Sequence, residues 1–245
     1  MKICWPAAAL CYRIFVMKLD EVIQELKSLS NPRSVEGMAR FGISSEKTLG
    51  ISIPNLRKLA KRCGSNHRLA LELWQSQLHE ARILASMVDN PIEVTPEQMD
   101  GWTADFNSWD VCDQCCLNLY VKTPRSFSRV VEWSGAKEEF VQRAAFALVA
   151  CIAFKDKKAT NKQLVTFLPL IERESKDGRN FVKKAVNWAL RQIGKRNKAL
   201  NKEALKSAYS IKEIDSRSAR WIAADAIREL ESEAVQRRLE TESLP

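Results

Sequence analysis

The sequence predicts an all-α protein, on the evidence of its hydrophobic periodicity, its helix-start signals and an internal repeat. Apolar residues recur at helical spacing along most of the chain, and no run alternates apolar and polar residues long enough to make a convincing strand. Segments of roughly 10–16 residues joined by short turns are typical of antiparallel helix pairs. With 245 residues, of which 45% are hydrophobic, the chain is long enough to bury a substantial core.

Helix starts are indicated where a proline falls in a first turn, or where Ser, Thr or Asn can cap one. Such residues occur at Ser30-Asn31-Pro32, Ile53-Pro54-Asn55, Thr95-Pro96-Glu97, Ser108 and Thr123-Pro124. Glycines separate or interrupt the predicted helices at Gly64, Gly101, Gly135, Gly178 and Gly194. Together these signals divide the chain into short helices along its length.

An internal repeat becomes visible when the later helices are aligned. The segments that share a cation followed by a small and apolar face are HEARILASMVD (79–89), EFVQRAAFALVA (139–150), NFVKKAVNWALR (180–191) and RSARWIAADAIR (217–228). The helix SWDVCDQCCLNLY (108–120) fits between the first two of these segments. The shared position, which we call the repeat row, holds Arg82, Asp113, Arg143, Lys184 and Arg220.

The spacing within the repeat row indicates the architecture. Successive members are 31, 30, 41 and 36 residues apart. Such irregular periods are typical of HEAT-like helix pairs, which stack into a curved α-solenoid with a concave surface. Because four of the five members are cations, we expect a basic concave face. From spacing alone, coincidence among amphipathic helices remains the alternative.

The net charge favours a polyanionic partner. Lys and Arg outnumber Asp and Glu by 39 to 30, which gives a net charge of +9 and favours nucleic acid or an anionic membrane surface. On one predicted helix, Lys184, Trp188, Arg191 and Lys195 fall on a single stripe that could grip phosphates and pack against sugars or bases. The alternative is a solvated basic face with Trp188 turned into the core.

The cysteine content indicates a reducing, cytoplasmic environment. Seven scattered cysteines do not resemble a disulfide framework, and no stretch is long enough to span a membrane. Residues 1–16 faintly resemble a signal peptide, but Pro6 and Arg13 interrupt the apolar run. We therefore expect residues 1–16 to be a loosely ordered leader or upstream extension, and residues 17–240 to form a single domain.

Two residue types are interpreted as packing. Cys112, Cys115 and Cys116 invite a metal interpretation, but no second cysteine pair follows, and on a helix they share one arc that we expect to be buried. We therefore expect no bound metal. The tryptophans in apolar or repeat-core settings, which we also expect to pack internally, are Trp5, Trp74, Trp102, Trp133 and Trp221.

Asp113 is the exception in the repeat row, because a carboxylate is repelled by the phosphates that the row would attract. One explanation is a salt bridge to a neighbouring cation such as Arg143. The other is chemistry that generates positive charge. Breaking the N-glycosidic bond of a purine gives the deoxyribose oxocarbenium character, and a cationic alkylated purine leaves without a general acid. One carboxylate, with Trp109 one turn before it, could then suffice.

The chain resembles the AlkD family of DNA alkylation repair glycosylases over roughly residues 17–235. The segments that carry the resemblance are MARF (38–41), LGISIP (49–54), SWDVCD (108–113), VQRAAF (141–146) and FVKKAVNWALR (181–191). The resemblance implies that Asp113 is the catalytic aspartate, that Trp109 and Trp188 contact the deoxyribose of the lesion, and that Arg143 binds the DNA backbone. Phe41 stands where relatives can have tyrosine, so it lacks a hydroxyl contact.

The resemblance implies a monofunctional DNA glycosylase that hydrolyses N3- or N7-alkylated purines in double-stranded DNA without base flipping and without a cofactor. Because an elongated solenoid needs no partner to bury its core, we expect a monomer. The remaining residues expected to bind DNA, besides Arg143, are Phe41, Arg82, Lys184, Arg191 and Lys195. Two alternatives stay open at this point. The chain could be a non-enzymatic HEAT-repeat binder of damaged or branched DNA, or a scaffold whose concave face binds an acidic protein.

Overall fold

The computed structural model describes residues 17–241, which form α-helices, turns and one 3-10 turn at Tyr120–Lys122, with no strand in this range. The expected leader at residues 1–16, including Trp5, lies outside the described residues. The helices are α1 (Leu19–Ser28), α2 (Pro32–Ala39), α3 (Ile53–Cys63), α4 (His67–Gln75), α5 (His79–Val88), α6 (Pro96–Ala104), α7 (Trp109–Asn118), α8 (Ser126–Trp133), α9 (Glu139–Lys155), α10 (Asn161–Val165), α11 (Leu168–Glu174), α12 (Asn180–Gly194), α13 (Lys198–Lys212), α14 (Arg217–Leu230) and α15 (Glu233–Thr241).

Most of the predicted helix starts are confirmed. The side chains of Asn31 and Thr95 accept hydrogen bonds from backbone amides in the first turns of α2 and α6. The prediction of a start at Thr123-Pro124 is wrong, because α8 begins at Ser126. The Thr123 hydroxyl donates to the Tyr120 carbonyl at 2.9 Å and closes the preceding 3-10 turn, so it does not cap the next helix.

The helices that carry the repeat row stack directly on one another. Helix α5 packs against α7, α7 against α9, α9 against α12, and α12 against α14. A second layer lies beside this stack, with α4 packed on α5, α8 on α9, and α13 on both α12 and α14. The predicted all-α solenoid is therefore confirmed, and the repeat row runs along five successive helices of one layer.

Small side chains allow the stacked helices to approach closely. Helix α9 is buried along almost its whole length, from Gln142 to Ala153. At Gly194, an added Cβ would lie 2.7 Å from the side chain of Leu230 and 3.0 Å from that of Ala204. A methyl group at Gly194 would therefore push α12 away from α13 and α14.

The packing predictions are confirmed except at one tryptophan. Cys112, Cys115 and Cys116 are fully buried, and the Trp74 and Trp102 rings stack at 4.1 Å within the core, where Trp133 is also buried. The prediction for Trp221 is wrong, since this side chain is 41% exposed and the Lys183 ammonium lies 4.8 Å from its ring centroid. Trp221 lies beside, and not on, the buried stripe of α14 that runs from Ser218 to Leu230.

Within residues 17–241, no helix combines the length and the apolar character that crossing a bilayer requires.

Candidate nucleic-acid site

A cavity of about 540 Å³ opens where the first halves of α7, α9 and α12 meet the loop that follows α2. It is lined by Arg40, Phe41, Gly42, Trp109, Asp113, Arg143, Asn180, Phe181, Lys184 and Trp188. The members predicted from the sequence to act on or bind DNA are Phe41, Trp109, Asp113, Arg143, Lys184 and Trp188. The structure thus brings together six predicted residues that are scattered over almost 150 positions of the chain.

At the centre of this cavity, Arg143 on α9 holds the carboxylate of Asp113 on α7. Its Nε and Nη2 donate to Oδ1 at 3.1 and 2.9 Å, and Nη2 also donates to Oδ2 at 2.8 Å. Its Nη1 donates to the carbonyl oxygen of Phe181 on α12 at 2.7 Å. The salt bridge offered above as one explanation of Asp113 is therefore present, and it joins three successive helices of the stack.

Burial and charge act in opposite directions on Asp113. Burial raises the pKa of its carboxyl group, and the nearby Asp110 raises it further, while the Arg143 guanidinium opposes both effects. Although burial disfavours the charge on Arg143, the Asp113 carboxylate raises the pKa of the guanidinium. All three hydrogen bonds to Asp113 come from guanidinium N–H groups, which is the arrangement of an ionised carboxylate. The Asp113 side chain keeps 19% of its surface exposed, against 6% for Arg143.

Trp109 is fixed through its indole nitrogen. Nε1 donates to the carbonyl oxygen of Phe41 at 3.0 Å, so the ring of Trp109 and the loop after α2 are tied together. The next residue, Gly42, has a φ of 78°, and a Cβ there would lie 3.1 Å from the Phe181 ring. This close approach places Phe41 at the rim of the cavity, where its side chain is 70% exposed.

Glu80 on α5 anchors the other end of this loop, a role that the sequence analysis missed. Its carboxylate is buried and accepts hydrogen bonds from the amides of Leu49, Gly50 and Ile51 at 2.8, 2.6 and 3.2 Å. Gly50 has a φ of 75°, and a Cβ there would lie 2.3 Å from the carbonyl oxygen of Asn31. The sequence signal that could have revealed this role is a carboxylate on the apolar face of a predicted helix, because a buried carboxylate needs hydrogen-bond partners.

His79 adds a second connection between α5 and the site. Its backbone amide donates to the Lys47 carbonyl at 2.9 Å, and its Nε2 lies 2.7 Å from Oδ2 of Asp110. Burial would raise the pKa of Asp110, but hydrogen bonding and charge interaction with His79 outweigh burial and lower it. Asp110 lies between Trp109 and Asp113 on α7, so His79 supports the helix turn that presents both residues.

The sequence allowed two positions for Trp188, on a DNA-facing stripe or in the core, and its side chain combines features of both. The indole packs against the core and lies 6.3 Å from the ring of Phe154, yet it also lines the cavity. With its amide oxygen turned towards the indole, Gln192 accepts from Nε1 of Trp188 at 3.1 Å. Packing and this hydrogen bond hold the Trp188 ring in place beside Asp113.

Three of the predicted DNA-binding cations do not line the cavity, and each is paired with an acid. Arg82 lies over the Trp74 ring at 5.1 Å and 3.6 Å from Asp105. Arg191 forms an ion pair with Glu229 on α14, and Lys195 lies 2.6 Å from the same carboxylate. The ion pairs with Arg191 and Lys195 lower the pKa of Glu229 against the effect of its burial. Locally, these pairs reduce the positive potential that Arg82, Arg191 and Lys195 offer to a polyanion.

The buried thiols beside the site show no arrangement for a metal. Within residues 17–241, no three His, Cys, Asp or Glu side chains come together as metal ligands. Burial raises the pKa of Cys115, Cys116 and Cys151 well above the ordinary value. The described cysteines, all of them free and buried, are Cys63, Cys112, Cys115, Cys116 and Cys151.

The fold and the cavity define a helical-repeat protein that presents one oriented carboxylate among tryptophans and cations. The chain matches the family model described as DNA alkylation repair enzyme over residues 22–230, and it belongs to this family. The resemblance noted from the sequence is thereby confirmed.

Two similar curated proteins come from Listeria. An uncharacterized protein of Listeria innocua is 31% identical over 94 residues, and one of Listeria monocytogenes is 29% identical over 94 residues. Each match covers 37% of this chain and 42% of the Listeria protein, so this chain spans less than half the length of the curated relatives it matches.

A solved structure matches along most of its length. It has a TM-score of 0.72 and 17% sequence identity, with 87% of this chain and 95% of the other covered. It is described as belonging to a new family of proteins related to the HEAT-like repeat DNA glycosylases, with affinity for branched DNA structures. At this identity the likeness establishes the fold, which is the HEAT-like architecture that the repeat row predicted.

Proposed function

We propose that this protein is a monofunctional DNA glycosylase that hydrolyses the N-glycosidic bond of N3- or N7-alkylated purines in duplex DNA, without base flipping. The observation that carries the proposal is the carboxylate of Asp113, oriented by Arg143 in a cavity that Trp109 and Trp188 also line. We also propose that it acts as a cytoplasmic monomer, without a metal or organic cofactor.

The carboxylate matches the charge that the reaction creates. A purine alkylated at N3 or N7 is a cation and leaves as a neutral base, so positive charge accumulates on the deoxyribose. A unit negative charge about 4 Å from the sugar, at an effective dielectric constant near 20, stabilises it by about 4 kcal/mol. This corresponds to roughly a thousandfold in rate. Because Arg143 offsets part of the charge of Asp113, this value is an upper limit.

Arg143 contributes by fixing the carboxylate. A side chain that is already oriented needs no reorganisation when charge develops, which is how electrostatic preorganisation lowers a barrier. The carboxylate is more exposed to the cavity than the guanidinium, so the negative end of the pair is offered to the substrate. It is also placed to orient the attacking water.

The aromatic residues support the same charge. An indole face within about 6 Å of a cation contributes about 0.5–2 kcal/mol, and Trp109 and Trp188 are held in the cavity by packing and by their Nε1 hydrogen bonds. We propose that Phe41 at the rim and Lys184 in the cavity wall contact the DNA strand near the sugar, which their place in the cavity lining supports.

A second candidate is a non-enzymatic binder of branched or damaged DNA. The solved structure with the same fold is described as having affinity for branched DNA structures, which is the observation that favours it. A closed Asp113–Arg143 pair is compatible with such a role, because it could simply stabilise the stack. The two candidates differ in whether a base is released.

The deciding experiment measures base release from methylated duplex DNA. We expect the wild-type protein to release 7-methylguanine and 3-methyladenine, and Asp113→Asn to reduce the single-turnover rate by up to roughly a thousandfold. Asp215→Asn is the matched control, since Asp215 is fully exposed and pairs only with Arg220. It should retain the wild-type rate.

Two results would contradict the proposal. Asp113→Asn releasing base at the wild-type rate would remove Asp113 from the chemistry. Wild-type protein that binds branched or damaged DNA but releases no base from any alkylated duplex would establish the non-enzymatic role instead.

A further inference from the structure

A second concave surface of about 790 Å³ lies between the end of α7, the start of α8 and the loop after α9. Its floor is apolar and includes Leu117, Val121 and Phe127, with Ile92 at one side. Its cationic members are Lys122, Lys155, Lys157 and Lys158. We call this surface the lysine groove.

The lysines of the groove form no ion pair within residues 17–241. Among the described residues, none of its four ammonium groups forms an ion pair, whereas Arg82, Arg143, Arg191 and Lys195 all do. The one carboxylate in the lining, Asp156, accepts a hydrogen bond from the backbone amide of Lys158. The lysine groove therefore carries four positive charges that no neighbouring carboxylate offsets through an ion pair.

Two of these lysines are close enough to affect one another. Burial lowers the pKa of Lys122, and the charge of Lys155 lowers it further. Two ammonium groups held near each other without a carboxylate repel, and a bound anion would relieve this repulsion. The groove thus has the electrostatic character of an anion-binding surface.

The lysine groove adjoins the candidate site along two routes. Leu117 lies one turn beyond Asp113 on α7, about 6 Å along the helix axis, and it lines both the groove and an apolar cavity that Asp113 shares. On α9, Phe154 packs beside Trp188, and Lys157 follows it three residues later. A chain passing over Asp113 can therefore continue into the groove.

We infer that the lysine groove binds the phosphodiester backbone of a DNA strand as it leaves the candidate site, a few nucleotides from the sugar at Asp113. This inference rests on the proposed function for its ligand, duplex DNA. The ligand matches the observations because phosphates would neutralise the lysine charges and deoxyribose can pack on the apolar floor. An acidic peptide with apolar side chains would suit similar chemistry, so the experiment includes it.

The test uses charge-matched variants. The groove variant carries Lys122→Gln, Lys155→Gln, Lys157→Gln and Lys158→Gln. The control variant carries Lys198→Gln, Lys202→Gln, Lys206→Gln and Lys212→Gln, which removes four cations from α13 in the second layer. Both variants have the same net charge, so any difference in their DNA affinity arises from the position of the removed lysines.

The readout is the affinity for undamaged duplex DNA over a range of salt concentrations. Each lost phosphate contact should reduce the slope of log K against log salt by about 0.9. We expect the groove variant to reduce the slope by about two units or more and to bind more weakly than the control variant at every salt concentration. The control variant should stay close to the wild type.

Other outcomes would overturn the inference. Equal losses of DNA affinity in the two variants would show a general charge effect. If the groove variant binds DNA as the wild type does but no longer binds a poly-glutamate peptide, the groove would be assigned to a protein partner. If Lys122→Gln prevents folding, the triple variant at the other three lysines gives the same comparison. Absence of DNA binding by the wild type would also remove the proposed function, whereas failure of the groove alone would leave base release intact.

Discussion

Arg143 donates three hydrogen bonds to the carboxylate of Asp113 while a fourth reaches the backbone of the next helix. The guanidinium is thereby fixed from two sides, and it transmits that fixed position to Asp113. Reach and geometry therefore matter at this position as much as charge.

Arg143→Lys tests this relationship. A lysine keeps the positive charge but cannot make the forked contact with both Asp113 oxygens and the Phe181 carbonyl. We expect base release to fall by about tenfold to a hundredfold, and the free energy of unfolding to fall by about 1–3 kcal/mol. Urea denaturation and single-turnover kinetics measure the two effects. Arg68→Lys, at an exposed ion pair with Glu72, is the control and should change neither.

The pH dependence of base release should report the burial of Asp113. The reaction needs the ionised carboxylate, so the rate falls as the pH drops through the pKa of Asp113. Because burial raises that pKa, we expect the loss to occur at a pH above the ordinary carboxyl value of 3.8. The base released by Asp113→Asn at each pH is subtracted from the base released by the wild type. An inflection at or below 3.8 would contradict the expected effect of burial.

The same pKa shift has the opposite sign for stability. A carboxyl group with a raised pKa in the folded state contributes stability below its unfolded pKa, and this contribution is lost as the pH rises through the folded value. Asp110→Asn removes a neighbouring negative charge that raises the pKa of Asp113. This variant should therefore move the kinetic inflection to lower pH.

Glu80→Gln should loosen the loop that connects α2 to α3. A neutral amide offers one oxygen where the carboxylate receives three backbone N–H groups, so we expect a loss of about 1–3 kcal/mol in the free energy of unfolding. Because this loop carries Phe41, base release should fall as well. Glu46→Gln changes an exposed residue of the same loop and serves as the control. Equal stability of the two variants would show that Glu80 does not anchor the loop.

Gly50→Ala and Gly64→Ala separate backbone strain from steric clash. Both glycines have a positive φ, of 75° and 69°, but only a Cβ at Gly50 would collide with the backbone, at the Asn31 carbonyl. Gly64 combines its positive φ with a ψ of −168°, a region occupied essentially by glycine alone, so we expect Gly64→Ala to cost about 1–3 kcal/mol from the backbone conformation alone. Gly50→Ala should cost more and should also lower base release. Thermal unfolding and kinetics of the two variants give the comparison.

Local patterns in the sequence predicted the fold and five of the ten residues that line the cavity. The repeat row placed Asp113, Arg143 and Lys184 on successive helices because equivalent positions of stacked repeats face the same side. Side chains one turn apart on those helices, Trp109 and Trp188, then had to lie beside them. The buried cysteines followed from helical periodicity in the same way.

The partners of the cations could not be predicted, because they come from distant helices. Arg82 and Lys195 looked available for phosphates, yet Asp105 and Glu229 approach them from 23 and 34 positions further along the chain. No local pattern specifies which of the predicted DNA-binding cations receives such a partner. The contact between Trp109 and the Phe41 carbonyl is equally hidden, since it depends on the path of a loop and not on helix periodicity.

The burial of the thiols around Asp113 has a consequence for self-damage. Agents that alkylate purines are electrophiles, and among protein groups they attack thiolates most readily. Cys112, Cys116 and Cys151 are shielded from solvent, and burial raises the pKa of Cys116 and Cys151 well above its ordinary value, so little thiolate is presented. The thiols of the described residues are thus kept out of reach of the reagents that would create the substrate we propose.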